Sequence, residues 1–504
     1  MLLPVPMLLL PLGLLQPAGP PSLTRCATTL TTPTPCQTPL PTAPADLPPF
    51  VDPSAPDARL ETFLHQASSL LCRWLGAAGA NGPLPGLSVL PEVEPQAQGL
   101  GAGRLLADLQ LVMEGAYQPN HPGALAHLDP PPLSASIAAD LICAGLNNNL
   151  LAEELSPSLS RLERSLCAWL ADRIGLGAGA GGVAASGGSL SNLMALVVAR
   201  RQRPPRASAE GVVLCSGDAH VSLAKAMGVM GLPDSALQCI PVDAAGRMDT
   251  SLLAAALDDL QHRNVPVIAV VATAGTTVRG AVDPLEAIAD LCRRHGIWLH
   301  VDGAIGAVFA LVGRHRSRLA GLERADSITI NPQKLLGITK TSSLLLLARP
   351  EHLATTFSTG LPYMERSWGG SHGGEVGLQG SRPAEVLKLW LGLRQLGLEG
   401  IGRLLDGAME RRELLEQGLG GDGRLQLLRG DLHLLAFRPV IGDPQASARW
   451  SERTRLALLE EQLMLSRPVY QGHHHLKAVL GNPHTRSQHL DRLTAVVLGS
   501  LDHG

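Results

Sequence analysis

Aromatic residues are scarce in this chain, with five Phe, six Trp and three Tyr among 504 residues. Their scarcity leaves open whether a ligand would be aromatic or aliphatic. An excess of one charge is also lacking. Lys and Arg number 41 against 44 Asp and Glu, a formal net charge of −3, and no basic stripe of the kind that nucleic-acid binding requires is present. The eight cysteines, at 26, 36, 72, 143, 167, 215, 239 and 292, form no CxxC pair and no metal-ligand spacing. They are expected to be reduced and mostly buried, which suits a cytoplasmic protein. The histidines of "GHHHLKAVL" at 472–480 would alternate between the two faces of a strand, so no metal site is expected there. No internal repeat is found. The first stretch, "MLLPVPMLLLPLGLLQPAGPPSLTRC", has no Lys or Arg before Arg25 and carries Pro4, Pro6 and Pro11. Those prolines break any helix that could enter a bilayer, so neither a membrane span nor a targeting segment is expected.

What is present describes a soluble globular enzyme, with 45% hydrophobic and 17% charged residues. Residues 1–50, rich in Pro and Thr towards their end, are expected to be disordered or a linker. From Pro56 the apolar positions Leu60, Phe63, Leu64, Leu70, Leu71 and Trp74 recur every three or four residues, predicting an amphipathic helix. Further helices are predicted over 133–151 and 158–174. Short apolar runs then alternate with helical stretches: strands are predicted at 212–216, 237–241, 265–273, 297–302, 326–330 and 342–348, with helices at 249–262 and 284–295. That alternation predicts an α/β architecture, a mostly parallel sheet flanked by helices. Beyond 352 come a Gly-rich stretch, helices near 383–397 and 401–418, and weaker strand-like runs such as "LHLLAFRPV". This tail reads as a smaller α+β unit.

Four features carry chemistry. In "ASGGSLSNLMAL", Gly187 and Gly188 allow a tight turn and close backbone approach, while Ser189 is expected to cap the following helix and face an anion; an ordinary capped loop would look the same. His220, just after the strand 212–216, could stack on a planar group or move a proton, or merely cap the next helix. Asp302 ends a strongly apolar strand, where a carboxylate needs a positive partner or hydrogen-bond donors; a protonated pyridine nitrogen would serve, as would an arginine. Ala304 and Gly306 are small enough to leave room for a flat ring. Lys334 follows a β-branched run, where desolvation would lower its pKa and make the amine nucleophilic towards an aldehyde. A surface lysine snorkelling to solvent would fit the same position, and Lys340 is its competitor. A phosphate cradle, a ring-stacking group, a carboxylate for a ring nitrogen and an imine-forming amine together fit one cofactor, pyridoxal 5′-phosphate.

In these motifs the chain resembles the pyridoxal-phosphate group II amino-acid decarboxylases, the family of the glutamate, aromatic amino-acid, cysteine-sulfinate and 2,4-diaminobutyrate enzymes. The resemblance runs from "NHPGALAHLDPPPL" through "SGGSLSN", "GDAHVSLAKA", "ATAGTTVRGAVDPL" and "HVDGAIG" to "NPQKLLGITKTSS" and about Leu396. It implies the aspartate-aminotransferase-like fold (the type I pyridoxal-phosphate fold), with an N-terminal helical segment over 51–130, a large cofactor-binding α/β domain over 131–351 and a small C-terminal domain over 352–504. It implies a homodimer and a small amino-acid substrate, with no nucleic-acid or membrane partner. By position, Lys334 would hold the cofactor as an aldimine and Asp302 would pair with its ring nitrogen. His220 would stack on the ring, Gly187, Gly188 and Ser189 would hold the phosphate, and Thr273 and Ala304 would line the ring pocket. His127 and Asp129 would touch the substrate side chain; an aspartate there would favour a cationic substrate such as 2,4-diaminobutyrate, beside a glutamate-like or aromatic one.

The chain departs from the pattern in two places. Gln333 stands where many relatives have a histidine, so it can hydrogen-bond but not titrate. The segment 364–381 lacks the tyrosine that protonates the carbanion in many relatives; Tyr363 stands just before it, and Trp368 and His372 lie within it. The glycines 369, 370, 373, 374 and 377 suggest a mobile lid. Without a prompt proton donor, oxidative conversion to an aldehyde competes with amine formation. The same residues would also suit transamination, or an inactive homologue with a regulatory or scaffold role.

Overall fold

The computed structural model describes residues 47–502 except 88, 361–367 and 441. Nearly all of the 1–50 stretch expected to lack structure, and Tyr363, lie outside the described residues. A seven-stranded sheet organises the larger part of the chain. Its strands are β1 (Gly181–Ala185), β2 (Val212–Ser216), β3 (Leu237–Ile240), β4 (Val267–Thr273), β5 (Trp298–Gly303), β6 (Ser327–Ile330) and β7 (Ser343–Leu347), in the order β1-β7-β6-β5-β4-β2-β3. Strands β2 to β6 pair in parallel, and β7 runs antiparallel to both its neighbours. The six predicted strands are β2 to β7.

Continuous apolar runs form these strands because both faces are covered. In β4, "VIAVVAT", every residue after Val267 is buried, as are all of β5 and β7. Each fully buried Val, Leu or Ile contributes about 1.5–3 kcal/mol relative to exposure. The covering helices begin and end where local chemistry dictates. Thr250–His262 starts at Asp249, whose side chain accepts from the amides of Ser251 and Leu252. Leu285–His295 closes with Arg293, Arg294 and His295 in its last turn and Gly296 in the left-handed region.

Strand β1 has no sequence signal, since "GGVAA" holds a single β-branched residue. Its composition follows from packing: a Cβ on Gly182 would lie 2.1 Å from the carbonyl oxygen of Leu345.

A second sheet, β12 (Leu476–Val479), β9 (Leu434–Pro439) and β8 (Leu425–Leu428), is antiparallel throughout; β10 (Val469–Tyr470) and β11 (His473–His474) form a short hairpin beside it. The two helices predicted at 383–397 and 401–418 are found end to end over Val386–Gly420, separated by a break at Gly397, whose φ of 58° and ψ of 174° are not helical. Val386 and Leu389 before the break and Leu405 after it join the core around the large sheet. The last turns add Leu415 and Leu419 to a second core with Phe437, Trp450 and Leu476. This segment therefore fixes the small sheet against the large one. Strands β4 and β5 end in register at Thr273 and Asp302, with Thr329 of β6 beside them. The carboxyl ends of parallel strands, where backbone diverges into loops, are where open α/β sheets build their sites.

Candidate active site

A cavity of about 290 Å³ opens at those strand ends. Its wall brings together nine residues singled out in the sequence: Gly187, Gly188, Ser189, His220, Thr273, Asp302, Ala304, Gln333 and Lys334. They come from separate segments of the chain, so the sheet and its loops do the gathering.

The anion cradle forms at the start of the helix Gly188–Arg201. Ser189 is not its cap. Gly187 occupies the N-cap with φ 100° and ψ 158° and no side-chain cap bond, so Ser189 falls in the first turn. A Cβ at Gly187 would meet nothing within 4 Å, whereas one at Gly188 would lie 2.8 Å from Asn331 Nδ2. The turn thus presents unobstructed backbone amides at a helix N-terminus, the arrangement that suits a phosphate.

Asp302 is buried and, among the described residues, is matched by donors rather than by an arginine. Its Oδ1 accepts from the Ala304 amide at 3.1 Å and its Oδ2 from Asn192 Nδ2 at 2.8 Å. Asn192 was not singled out from the sequence, although "SGGSLSN" contains it. Its amide oxygen accepts from Thr329 Oγ1 at 2.7 Å and from His300 Nε2 at 3.1 Å. Ser327 Oγ lies 2.9 Å from His300 Nδ1 and accepts from the Trp298 indole at 2.9 Å. Donors and acceptors fall in one consistent order, Trp298 to Ser327 to His300 to Asn192 to Asp302. That order requires a neutral His300 protonated on Nε2, and burial pushes its pKa down to about 4.

Lys334 ends the short turn Pro332–Lys334 after β6. Burial lowers the pKa of its amine, opposed by the charges of Asp302 and Asp129. His220 accepts from the Ser222 amide through Nδ1 at 3.2 Å, which leaves Nε2 to carry the proton of the neutral ring; burial lowers its pKa too. The Thr273 hydroxyl is buried without a hydrogen-bond partner among the described residues, although it lines the cavity. Gln333 accepts from the Ser342 amide, so its carbonyl end is engaged by the backbone.

Other expectations are redirected. Gly306 is small for packing, since its Cβ would lie 2.4 Å from the Ala274 carbonyl oxygen; only Ala304 of that pair lines the cavity. His127 and Asp129 are not part of its wall, and Asp129 pairs with Lys340 at 2.6 Å. Of the glycines expected to loosen a lid, 370, 373 and 374 also permit close contact, while Gly369 has open space at its Cβ position. Cβ atoms on Gly370 and Gly373 would fall 2.3 Å from Glu153 Oε1 and 2.1 Å from the Leu150 carbonyl oxygen. A further cation, Lys477 of β12, reaches the site from the small sheet: its Nζ donates to the carbonyl of Thr277, a cavity residue, at 3.2 Å. Burial, with a smaller push from Lys334, lowers its pKa to about 8.

These donors and acceptors match a phosphorylated pyridine aldehyde part by part. Open amides at Gly188 and Ser189, an unpartnered buried hydroxyl at Thr273, a carboxyl group oriented by Asn192 and a desolvated lysine amine supply a partner for each polar group of that molecule, so the residues fit it.

Known proteins agree. The pyridoxal-dependent decarboxylase conserved domain matches residues 92–438. L-2,4-diaminobutyrate decarboxylase of Rhizobium meliloti (strain 1021) is 32% identical over 444 residues, covering 85% of this chain and 86% of that protein. Human cysteine sulfinic acid decarboxylase is 31% identical over 338 residues, covering 64% and 68%. The crystal structure of mouse CSAD superposes with a TM-score of 0.81 at 25% identity, covering 88% of this chain and 99% of that one. With the mostly parallel sheet and a cavity fitted to the cofactor, these matches establish that the chain belongs to the pyridoxal-dependent decarboxylase family and is a pyridoxal-phosphate-dependent amino-acid decarboxylase.

Proposed function

We propose that Lys334 is the amine that carries the cofactor, that Asp302 holds a proton on the cofactor's ring nitrogen, and that the substrate is a small L-amino acid, L-2,4-diaminobutyrate first among candidates. The observation that carries the assignment is that Lys334, Asp302, His220 and the Gly187 turn share one cavity wall. When bound, pyridoxal 5′-phosphate supplies an aldehyde carbon and a protonated pyridine that accepts the electron pair left by departing CO₂. Burial lowers the pKa of the Lys334 amine, which favours its nucleophilic neutral form. Asn192 and the Ala304 amide donate to Asp302 and fix its orientation. The first-turn amides of Gly188 and Ser189 would hold the phosphate, and the unpartnered Thr273 hydroxyl would donate to a polar atom of the ring. His220 would stack on the ring and, with Nδ1 accepting from Ser222, can hold a proton at Nε2. Lys477 attracts the substrate carboxylate and Gln333 orients the site through its amide.

The substrate preference is supported by the likeness to the Rhizobium enzyme over most of both chains and by the negative charge of Asp129, which acts on Lys334 from outside the cavity wall. A homodimer is supported by exposed Leu64, Leu109, Val112, Leu141, Ile142 and Leu146 on the first helices. A cytoplasmic setting is supported by six free cysteines among the described residues. No helix among the described residues is long and apolar enough to cross a membrane.

The deciding experiment is borohydride reduction of the holoenzyme followed by peptide mapping. The label is expected on Lys334, lost in Lys334→Ala and kept in Lys340→Ala. A label on Lys340 overturns the assignment. Incubation with diaminobutyrate, glutamate, cysteine sulfinate and tryptophan, following amine, CO₂, ammonia and peroxide, is expected to give amine and CO₂. Ammonia and peroxide without amine would instead favour aldehyde formation.

A further inference from the structure

A second polar cavity, of about 400 Å³, lies at the opposite ends of β5 and β6, lined by Trp298, Leu299 and Asp326 and by four arginines, 203, 293, 324 and 349. Arg324 is committed within the fold, since it pairs with Asp290 and donates to the Glu286 carbonyl at 3.2 Å. Arg203 is half committed: its Nε and Nη1 donate to the carbonyls of Ile268 and Gly296 at 3.3 and 2.7 Å. Its Nη2 is buried without a hydrogen-bond partner among the described residues. A buried donor left without an acceptor is unfavourable. Arg203, Arg293 and Arg349 have no carboxylate within ion-pair distance among the described residues. The one acid in the wall, Asp326, accepts from the Leu299 amide at 2.8 Å. Three guanidinium groups without an ion-pair partner, Arg203 partly buried and Arg293 and Arg349 exposed at the rim, thus face a single carboxylate.

We propose that this cavity binds a small multivalent oxyanion, a phosphate ester or a polycarboxylate, at a site separate from the cofactor cradle. The planar fork of a guanidinium matches both chemistries through paired N–H···O bonds. An anion there satisfies Arg203 Nη2 and balances Arg293 and Arg349 together. The cradle at Gly187 belongs to the other end of the strands, so the cofactor phosphate does not compete for these arginines.

Calorimetric titration of cofactor-saturated holoenzyme with inorganic pyrophosphate and, separately, with citrate tests this at fixed ionic strength. One anion per chain is expected, with affinity at least tenfold weaker in Arg203→Gln and in Arg349→Gln and unchanged in the exposed control Arg403→Gln. Tighter pyrophosphate points to a phosphate ester and tighter citrate to a polycarboxylate; either supports the site. Arg203 also holds two backbone carbonyls, so exposed Arg349 supplies the variant that folds. No binding heat with either anion, or wild-type affinity in Arg349→Gln, overturns the proposal.

Discussion

Asn192 Nδ2 donates to Asp302 Oδ2 at 2.8 Å, and the same amide's oxygen accepts from both His300 and Thr329. The carboxylate at the centre of the cavity is therefore oriented by a buried chain that starts at the Trp298 indole, some distance down β5. Each bond polarises the next in the same sense, which reinforces donation to the carboxylate.

Removing the last donor should lower turnover without emptying the site. A hydrogen bond to a charged group contributes about 1.5–3 kcal/mol, so Asn192→Ala is expected to reduce kcat roughly 10- to 150-fold. The cofactor should still bind, with its absorbance shifted towards the form lacking a ring proton. Stopped-flow turnover with parallel absorbance spectra measures both. Unchanged kcat would mean that the Ala304 amide alone holds Asp302.

Lys477 gives a pH signature. Its pKa, pushed down to about 8 by burial, means that the cation is present below pH 8 and lost above it. If it attracts the substrate carboxylate, KM should rise above pH 8 in the wild type. Lys477→Arg, protonated throughout, should abolish that rise, and Lys477→Gln should show a KM raised about tenfold or more at pH 7. A KM profile identical in all three proteins would assign Lys477 to packing.

Acid should destabilise the fold through buried neutral histidines. Burial lowers His300 to about 4 and His433 to about 3, from an ordinary 6.5. Between pH 6.5 and 4 the unfolded chain binds protons that the folded chain refuses, so stability falls as pH drops through that window, by up to ~1.4 kcal/mol per pH unit for each group. His433 also leaves both ring nitrogens unpartnered among the described residues. His433→Leu should therefore flatten the decline and raise stability at pH 5, read from denaturant midpoints at pH 7, 6 and 5.

Most of the large sheet was legible because β2, β4 and β7 are buried on both faces and read as apolar runs. Strand β1 was not, because its glycine is dictated by a neighbouring carbonyl and not by strand propensity. The cavity residues were legible as residue types at strand ends. Their supports were not: Asn192 and His300 look like ordinary helix and strand residues, and only the distances between them reveal the chain. Lys477 lies far beyond Lys334 in sequence, on the small sheet, a proximity that spacing cannot show. Gly306 looked like room for a ring, and its role is contact with Ala274. A small residue in a sequence does not say which neighbour requires it.

Two adjacent glycines of the cradle should fail for different reasons, and that contrast tests the phosphate assignment. Gly187 sits at φ 100° and ψ 158°, a region essentially reserved for glycine, with open space where a Cβ would go. Gly187→Ala should therefore cost about 1–3 kcal/mol in backbone strain, seen as a lower melting temperature with or without cofactor. Gly188 begins the helix, and its Cβ would press on Asn331 Nδ2 at 2.8 Å. Asn331 also accepts from Ser343 Oγ at 2.6 Å through its Oδ1, so it has little freedom to yield. Gly188→Ala should displace the helix start relative to the strand end, weakening cofactor binding about tenfold or more. Fluorescence titration of the apoenzyme with pyridoxal 5′-phosphate, and with pyridoxal lacking the phosphate, separates the two effects. If the turn holds the phosphate, Gly188→Ala loses affinity for the phosphorylated form and leaves that for pyridoxal unchanged; equal losses for both ligands would move the phosphate elsewhere in the cavity.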